Sequence, residues 1–426
     1  MKSIILILLS AIILASCSPK SNTATERQLL QMLDKKDIFR VETLLEEKRS
    51  QLSKGIVLYI EAHLQNAFNS TEQSLQTIDV LFDRCGKSLN DTLLFNIFSI
   101  KSDNLLKQNR YRESAEALKI ALDKYGHAAD SVLLVDSWDS YNAIEPLKTF
   151  LPQKMHITSD VTIPVSRNQF GHVMVQVSIG GQSEDFIFDT GASLCVISES
   201  NAQRMGIHVL ESSVNVGNSI GSKVHSKVGV ADSLWMGDLL FENVAFLVVS
   251  DEIFSFPEVN FFIHGIIGFP VMYQMQELRI RKDESITVAA RPAKRNLRNL
   301  FLNGQTLVVQ VETGGDALRF KMDTGANTTE FSEKYFVEHN NEILEKAVPA
   351  TVTRGGGGGF VDNEAYIMKN VQFKIGGREL TIPDMTVLAE KLAFLDDYDG
   401  NLGQDVLMHF NQLILNFVDM YLTFED

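Results

Sequence analysis

Two different spacings of apolar residues divide the chain. Over residues 25–150 glycine is scarce and apolar residues recur every three or four positions, as in Leu75, Ile78 and Leu81, which is the period of an amphipathic helix. From residue 160 onward, apolar and polar residues alternate in short runs separated by glycine pairs, which is typical of β-strands joined by turns. The pattern therefore predicts a multi-domain protein, with an N-terminal all-α domain followed by an all-β region.

The helical region contains an internal repeat. Ile78, Phe82 and Gly86 are followed 40 residues later by Leu118, Leu122 and Gly126. The segment 111–118 resembles the second helix of a tetratricopeptide-type repeat, although that repeat usually spans about 34 residues. We therefore predict TPR-like helical hairpins. Such stacks often present a peptide-binding groove, which would give this domain a protein partner. The alternatives are a plain helical spacer and a removable inhibitory pro-segment.

The β region contains one tetrapeptide twice. It occurs as Asp189-Thr190-Gly191-Ala192 and as Asp323-Thr324-Gly325-Ala326. A glycine pair lies nine residues before each Asp, and a further glycine follows at Gly268 and at Gly403, 79 and 80 residues downstream. These matches indicate an internal duplication of about 130 residues. It predicts a first lobe over 160–289 and a second lobe over 301–426, joined by an exposed linker at 290–300.

Each copy can be interpreted in physical terms. An apolar strand leads into the Asp, and the glycine that follows lets another backbone approach closely. Two such turns brought together would place two carboxyls side by side, and one of them would keep a proton because both cannot ionise easily. An ionised Asp189 or Asp323 can take a proton from water while its protonated partner polarises a carbonyl. This chemistry needs no cofactor, metal or covalent intermediate.

The duplicated region resembles the retropepsin/pepsin group of aspartic proteases over roughly residues 161–426. The resemblance implies an all-β bilobal fold with two retropepsin-like lobes, and Asp189 and Asp323 as the catalytic pair. It also implies that Thr190 and Thr324 hydrogen-bond across the lobe interface. One departure is Asn401, which stands where the family has an apolar residue in the apolar-apolar-Gly element.

The other turn residues carry a further expectation. Gly191 and Gly325 fit the family turn, and Ala192 and Ala326 are retropepsin-like rather than pepsin-like. Because alanine has no hydroxyl to donate to the carboxylates, we expect activity nearer neutral pH.

Members of this family close a β-hairpin flap over the substrate. The candidates are residues 214–230, with Ile220 and Gly221 near the tip, and residues 351–365, which contain Arg354 and Gly355 at the start of a run of five glycines. Glycine runs suit a mobile lid. The alternative is a surface loop without substrate contact, and the sequence leaves open whether one flap or two are used.

The N-terminal residues have the pattern of a targeting segment. Residues 1–16 have a positive start and a short apolar core. The tetrapeptide Leu14-Ala15-Ser16-Cys17 resembles the lipobox of bacterial lipoproteins. The resemblance implies acylation of Cys17, a tether over 17–24, and a location at the bacterial cell envelope, on the outer membrane and facing the periplasm or the exterior. The alternative is a secretory signal cleaved near Ser16.

The charge balance limits the partners. The net charge of −15 argues against nucleic acid, because phosphate binding needs a basic surface. The two resemblances imply a peptide or protein substrate and a membrane contact through lipid at Cys17. The sequence therefore predicts an aspartic endopeptidase, and the alternative is a non-catalytic peptide-binding or scaffold lipoprotein that uses its helical repeats.

Overall fold

The computed structural model describes residues 22–218, 220–221, 223–282, 285–356, 358–395, 397–407 and 409–426. An N-terminal helical region is followed by a large β region, which confirms the predicted order of the two. The predicted signal segment 1–16, Cys17 and most of the tether lie outside the described residues. In the part of the chain that is described, no helix is long and apolar enough to cross a bilayer.

Seven α-helices form the helical unit, which we define as residues 23–149. They are α1 (Thr23–Asp34), α2 (Ile38–Lys48), α3 (Lys54–Ala67), α4 (Thr71–Cys85), α5 (Asp91–Lys107), α6 (Tyr111–Ile120) and α7 (Ser131–Ile144). The first six pair as three helical hairpins, whose short turns each contain a residue with positive φ: Lys36, Asn69 or Asn109. The buried Ser74 and Ser114 hydroxyls donate to the carbonyls of Ala62 and Ser102. These pairs repeat at the same 40-residue spacing found in the sequence.

The β region contains 24 strands among the described residues. The strands before the linker are β1 (Lys154–His156), β2 (Val161–Arg167), β3 (Val173–Ile179), β4 (Gln182–Phe188), β5 (Cys195–Ser198), β6 (His208–Val209), β7 (Val214–Gly217), β8 (Lys223–Met236), β9 (Leu239–Val249), β10 (Ser255–Phe256), β11 (Phe261–Phe262), β12 (Gly265–Ile267), β13 (Glu277–Arg281) and β14 (Ser285–Val288). We call residues 154–288 the first half.

The strands after the linker are β15 (Leu300–Asn303), β16 (Thr306–Thr313), β17 (Asp316–Met322), β18 (Glu330–Phe331), β19 (Val348–Gly356), β20 (Gly359–Ile375), β21 (Arg378–Leu388), β22 (Gly400–Leu402), β23 (Gln412–Asn416) and β24 (Tyr421–Glu425). We call residues 300–425 the second half. Five short helices lie between the strands of the two halves: α8 (Glu199–Arg204), α9 (Phe269–Gln274), α10 (Glu333–Glu338), α11 (Asn340–Lys346) and α12 (Gln404–Leu407).

The two halves each build a sheet, and the chain ends by joining them. One sheet runs in the order β24-β23-β13-β14-β2-β3-β4-β12-β5-β9-β8-β6, and the other in the order β15-β16-β17-β22-β18-β21-β20-β19. The last two strands, β23 and β24, thus belong to the sheet of the first half. Burial of alternate residues, as along β3, gives each sheet an apolar face that packs into the core.

The pairing of β13 with β23 shows the symmetry of the duplication. Arg279 lies opposite Ile414 in the antiparallel register, and these residues are separated by 135 positions, the offset that relates the two copies in this part of the chain. A residue that pairs with its own counterpart must lie next to a twofold axis. The two halves are therefore related by an approximate twofold axis between β13 and β23.

The helical unit packs against both halves. Its first hairpin meets the second half through Phe39 and Phe301, whose ring centroids are 5.8 Å apart. Its third hairpin and the turn that follows α7 reach the first half, where Tyr111 and Leu147 share a buried cluster with Val214 of β7. Burial of large apolar side chains at both contacts stabilises this arrangement.

Asn69 connects the helical unit to both halves. This residue lies in the α3–α4 turn at φ 61°, a backbone region that asparagine tolerates better than most residues. Its amide donates to the Phe417 carbonyl and its side-chain oxygen accepts from the Tyr273 hydroxyl. Tyr273 belongs to the first half and Phe417 to the second. One side chain therefore bonds three parts of the protein together.

We predict that Asn69→Gly lowers the free energy of unfolding by about 1–3 kcal/mol, because two partly buried hydrogen bonds are lost while glycine keeps the positive φ without strain. The control is Asn109→Gly. Asn109 lies in the corresponding turn at φ 57°, and among the described residues its side chain hydrogen-bonds within its own hairpin, to Tyr111. Urea unfolding of the three proteins compares them. Equal midpoints for the two variants would contradict the role of Asn69.

Candidate active site

Each copy of the tetrapeptide forms a turn at the end of a buried strand. Asp189 follows β4, and its N–H donates to the Ile267 carbonyl of β12 at 3.0 Å. Asp323 follows β17, and its N–H donates to the Leu402 carbonyl of β22, also at 3.0 Å. In both halves the two strands are parallel neighbours. The downstream glycine element thus supplies the strand that holds each Asp in place.

The two turns meet through their threonines. The Thr190 N–H donates to the Thr324 hydroxyl oxygen at 2.9 Å, and the Thr324 N–H donates to the Thr190 hydroxyl oxygen at 3.0 Å. Each hydroxyl in turn donates to a strand carbonyl of the opposite half, to Met322 at 3.1 Å and to Phe188 at 2.8 Å. Both threonines are buried. Four hydrogen bonds with twofold symmetry therefore fix the two turns against each other.

The glycines bring the carboxyls within reach of each other. Gly325 lies so close to Asp189 that a Cβ on it would be 2.6 Å from Asp189 Oδ2, and Gly191 lies equally tightly against the Asp323 carboxylate. Any side chain at these positions would collide with an Asp. The two carboxyls accordingly face each other at the floor of a cleft between the halves, the arrangement that a dyad needs.

The two carboxylates have different hydrogen-bond partners. Asp189 Oδ1 accepts from the Gly191 N–H at 2.7 Å. Asp323 Oδ1 accepts from the N–H groups of Gly325 and Ala326 at 2.9 and 3.1 Å. Asp323 Oδ2 accepts from the Asn401 side-chain amide at 3.3 Å. Asn401, the departure from the family pattern, thus contacts a candidate catalytic carboxylate directly.

Protonation follows from these surroundings. Removal from water, together with the nearby negative charge of Asp323, raises the pKa of Asp189 to about 7, and the Lys321 ammonium acts in the opposite direction. A carboxyl with so high a pKa holds a proton through mildly acidic pH. Asp189 therefore keeps its proton under conditions in which an exposed Asp would be ionised.

Two cavities flank the dyad. One of 460 Å³ is lined by both aspartates, Ala192 and a largely apolar wall from the first half. The other, of 420 Å³, is lined by Asp189, Ala326 and a group of aromatic side chains. Cavities of this kind suit apolar ligand groups. Both are lined by Asp189 and Ile266, and we call the two cavities together the groove.

Each candidate flap is a β-hairpin beside one cavity. The first, β7–β8, lines the 460 Å³ cavity through Val216, Gly217 and Asn218. Its predicted tip residues Ile220 and Gly221 are not among the lining residues, and Ile220 lies instead next to Gly358 of the second hairpin.

The second hairpin, β19–β20, places its predicted residues in the 420 Å³ cavity. Arg354 and Gly355 both line it, and the Arg354 guanidinium donates to the buried Glu330 carboxylate at 2.6 Å. The tip is held by a hydrogen bond from the Gly358 N–H to the Ile253 carbonyl at 3.0 Å. Each hairpin thus lines one cavity, and the two tips approach each other at Ile220 and Gly358.

Sequence reasoning missed three residues of this site: Lys321, Glu330 and His172. The first two could have been found by aligning the two copies at their 134-residue offset, because Lys321 then aligns with Ile187 and Glu330 with Val196. His172 lines the 420 Å³ cavity, and burial lowers its pKa. Nothing in the local sequence pointed to it. Among the described residues there is also no group of three or more His, Cys, Asp or Glu side chains placed to hold a metal ion.

Comparison with known proteins agrees with this geometry. Residues 175–271 match the aspartyl protease family model. The match includes Asp189 and the glycine element of the first half, and it covers 97 of the 426 residues. It supports a peptidase-type function in general terms.

The comparisons with curated proteins and with solved structures give less information about function. A search of curated proteins finds no match. Among solved structures, the chain is similar to basic 7S globulin from soybean, with 10% sequence identity and a TM-score of 0.40. That similarity covers 63% of this chain and 95% of the soybean chain.

We predict that Thr190→Val and Thr324→Val each lower the free energy of unfolding by about 1–3 kcal/mol, because each leaves a buried N–H of the other turn without its acceptor. Thr162→Val is the control, since the Thr162 hydroxyl is exposed and its partner among the described residues is the Thr287 hydroxyl, at 3.1 Å. Thermal unfolding monitored by circular dichroism measures the change. A loss no greater than that of the control would show that the turns do not depend on these bonds.

The raised pKa of Asp189 predicts a pH-dependent stability. The proton that Asp189 holds when folded favours the folded state fully below about pH 4, the unfolded value for Asp, and this contribution is lost as the pH rises through about 7. Asp189→Asn keeps a neutral side chain of the same shape. We therefore expect the melting temperature of the variant to fall less than that of the wild type between pH 4 and 7.

The control for this measurement is Asp185→Asn, which changes an exposed Asp on β4, the strand that leads into Asp189. It should leave the wild-type pH dependence in place. A variant at position 189 with the wild-type slope would mean that Asp189 is already ionised in the folded protein across this range.

Proposed function

We propose that the chain is an aspartic endopeptidase that hydrolyses peptide bonds with a water activated between Asp189 and Asp323. The observation that carries this proposal is the pair of turns held face to face by Thr190 and Thr324. Burial and the nearby Asp323 charge raise the pKa of Asp189 there, which favours a proton shared by the pair. The family match over residues 175–271 supports the same reaction class.

The chemistry follows from the shared proton. The ionised carboxylate takes a proton from the water, whose oxygen attacks the scissile carbonyl carbon, while the protonated carboxyl gives its proton to the carbonyl oxygen. The resulting tetrahedral species collapses when a proton reaches the leaving nitrogen. Both carboxyls then return to their starting states, and no covalent intermediate with the protein forms.

The groove and the hairpins define how a substrate would lie. An extended peptide passing the dyad would place side chains in the 460 Å³ and 420 Å³ cavities, and the two hairpins would close over it. Closure excludes water other than the one that reacts. We propose that both hairpins, including Ile220, Gly221, Arg354 and Gly355, act as flaps.

The helical unit contributes no described lining residue to either cavity. This supports activity of the intact chain rather than release by removal of a pro-segment. We further propose, from the sequence of residues 1–24, that acylated Cys17 anchors the enzyme at the bacterial cell envelope, and that the helical unit, with its TPR-like hairpins, binds a protein partner.

We predict that the intact mature chain cleaves a mixed peptide library between pH 3 and 8, and that Asp189→Asn and Asp323→Asn each reduce cleavage at least about 100-fold, because each removes one acid–base group. Asp185→Asn is the matched control. Mass spectrometry of the products measures the cleavage. If the wild type cuts nothing, or if either variant at the dyad cuts as well as the control, the alternative of a non-catalytic peptide-binding lipoprotein is favoured.

A further inference from the structure

A row of three polar side chains lies beneath the dyad in the second half. Lys321 of β17 pairs in register with Asn401 of β22, and Asn401 pairs in register with Glu330 of β18. Residues paired across neighbouring strands project to the same side of a sheet. The three side chains therefore form one line across three strands, next to Asp323.

The first half has an apolar row in the same place. There Ile187 of β4 pairs with Ile266 of β12, and Ile266 pairs with Val196 of β5. The two rows are related by offsets of 134, 135 and 134 residues, which are those of the duplication. The twofold symmetry that relates the two turns is thus broken at these three positions.

The polar row acts on one carboxylate of the pair. The Lys321 ammonium lies 3.9 Å from Asp323 Oδ2, with its side chain only 13% exposed. The Asn401 amide donates to the same oxygen at 3.3 Å. A cation at this distance and an N–H donor both favour the ionised form of a carboxyl.

The apolar row cannot do the same for Asp189. The counterparts of Lys321 and Asn401 are Ile187 and Ile266, whose side chains have no N–H or O–H to donate. Burial and the Asp323 charge raise the pKa of Asp189. The Lys321 ammonium and the Gly191 N–H also favour charge on Asp189, but burial and the Asp323 charge outweigh them. The proton is therefore favoured on Asp189, while Asp323 has the direct contacts with Lys321 and Asn401.

The remaining charged groups near Asp323 leave Lys321 as the nearby source of positive charge. These groups are Asp189, Glu330 and His172, with Arg354 and Asp405 behind Glu330. Glu330 and Arg354 form an ion pair of 2.6 Å and offset each other. Burial lowers the pKa of His172, which favours the neutral imidazole.

Asn401 is a poor choice for stability alone. It is 1% exposed, and its side-chain oxygen has no hydrogen-bond partner among the described residues. A buried amide with an unpaired oxygen is destabilising, whereas an isoleucine at the equivalent position of the first half has no such penalty. A local violation of this kind is typical of a functional position.

We propose that Lys321 and Asn401 are positioning residues that place the negative charge of the dyad on Asp323 and its proton on Asp189. The proposal rests on the proposed function for its catalytic meaning. Asp323 then takes the proton from water as the water oxygen bonds to the carbonyl carbon, and Asp189 donates its proton to the carbonyl oxygen. On collapse, Asp323 delivers its proton to the leaving nitrogen and Asp189 regains its own from the tetrahedral hydroxyl.

The test replaces residues of the second half by the isoleucines that occupy the equivalent positions of the first half. We expect Lys321→Ile to shift the acid limb of the kcat/KM profile upward by about one pH unit, because a cation within 4–6 Å lowers a carboxyl pKa by about 1–3 units. On that limb the loss should be about tenfold, and it should diminish toward the plateau. Asn401→Ile should shift the limb in the same direction by less.

Two further variants distinguish charge from packing. Lys321→Arg keeps the positive charge and should restore the wild-type pH profile. Lys374→Ile removes an exposed lysine of the same half that pairs with Glu312, and it should leave the limb unmoved. A Lys321→Ile variant that is less active by the same factor at every pH would overturn the proposal and leave the proposed function standing.

A second measurement does not depend on cleavage. Carboxyl ¹³C NMR of aspartate-labelled protein follows the one dyad carboxyl that remains in Asp189→Asn and in Asp323→Asn. The carboxyl left in Asp189→Asn should ionise at the lower pH of the two, and the reverse order would overturn the proposal. If the order holds while the wild type cleaves nothing, the charge assignment stands and the proposed function fails.

Discussion

The reciprocal bonding of Thr190 and Thr324 is the constraint on which the β region depends. Each hydroxyl accepts from the N–H of the opposite threonine and donates to a carbonyl of the opposite half. A hydroxyl can do both at once, which neither an amide nor a carboxylate can do in so small a space. Because the four bonds are buried, they require the two turns to keep one geometry, and this geometry sets the position of both carboxyls.

The rest of the β region repeats that symmetry on a larger scale. The pairing of β13 with β23 places a second twofold contact away from the turns, and the helical unit bridges the halves through Asn69. The symmetry fails where charge is involved. Lys321, Asn401 and Glu330 occupy positions that are aliphatic in the first half. Two turns with one backbone geometry therefore have different electrostatic surroundings.

The order of the two regions, the two Asp turns and the two hairpins could be predicted because the duplication is visible in the sequence. The change in apolar period near residue 160 predicted the order of the helical and β regions, and the paired tetrapeptides identified the two turns that the structure brings together. The hairpins over 214–230 and 351–365 followed from their places between the Asp and the glycine element. Patterns of this kind are local or repeat at a fixed offset.

What the sequence did not predict depends on long-range contacts. Nothing near Asn69 indicates that its amide reaches Phe417, because that bond spans 348 residues. The meeting of the two hairpin tips at Gly358 likewise depends on how the halves are oriented. In the sequence Lys321 is an ordinary polar residue of a strand, and only the fold shows that its ammonium lies beside Asp323. Its counterpart in the other copy was the available signal.

The addition of β23 and β24 to the sheet of the first half has a consequence for biosynthesis. β13 finds its partner in β23, 135 positions later, so the edge of the first sheet stays open until both Asp turns have left the ribosome. Contacts of such high sequence separation form late in folding. Completion of the cleft therefore waits for the last strands, and a nascent or truncated chain would expose an unpaired edge that can aggregate.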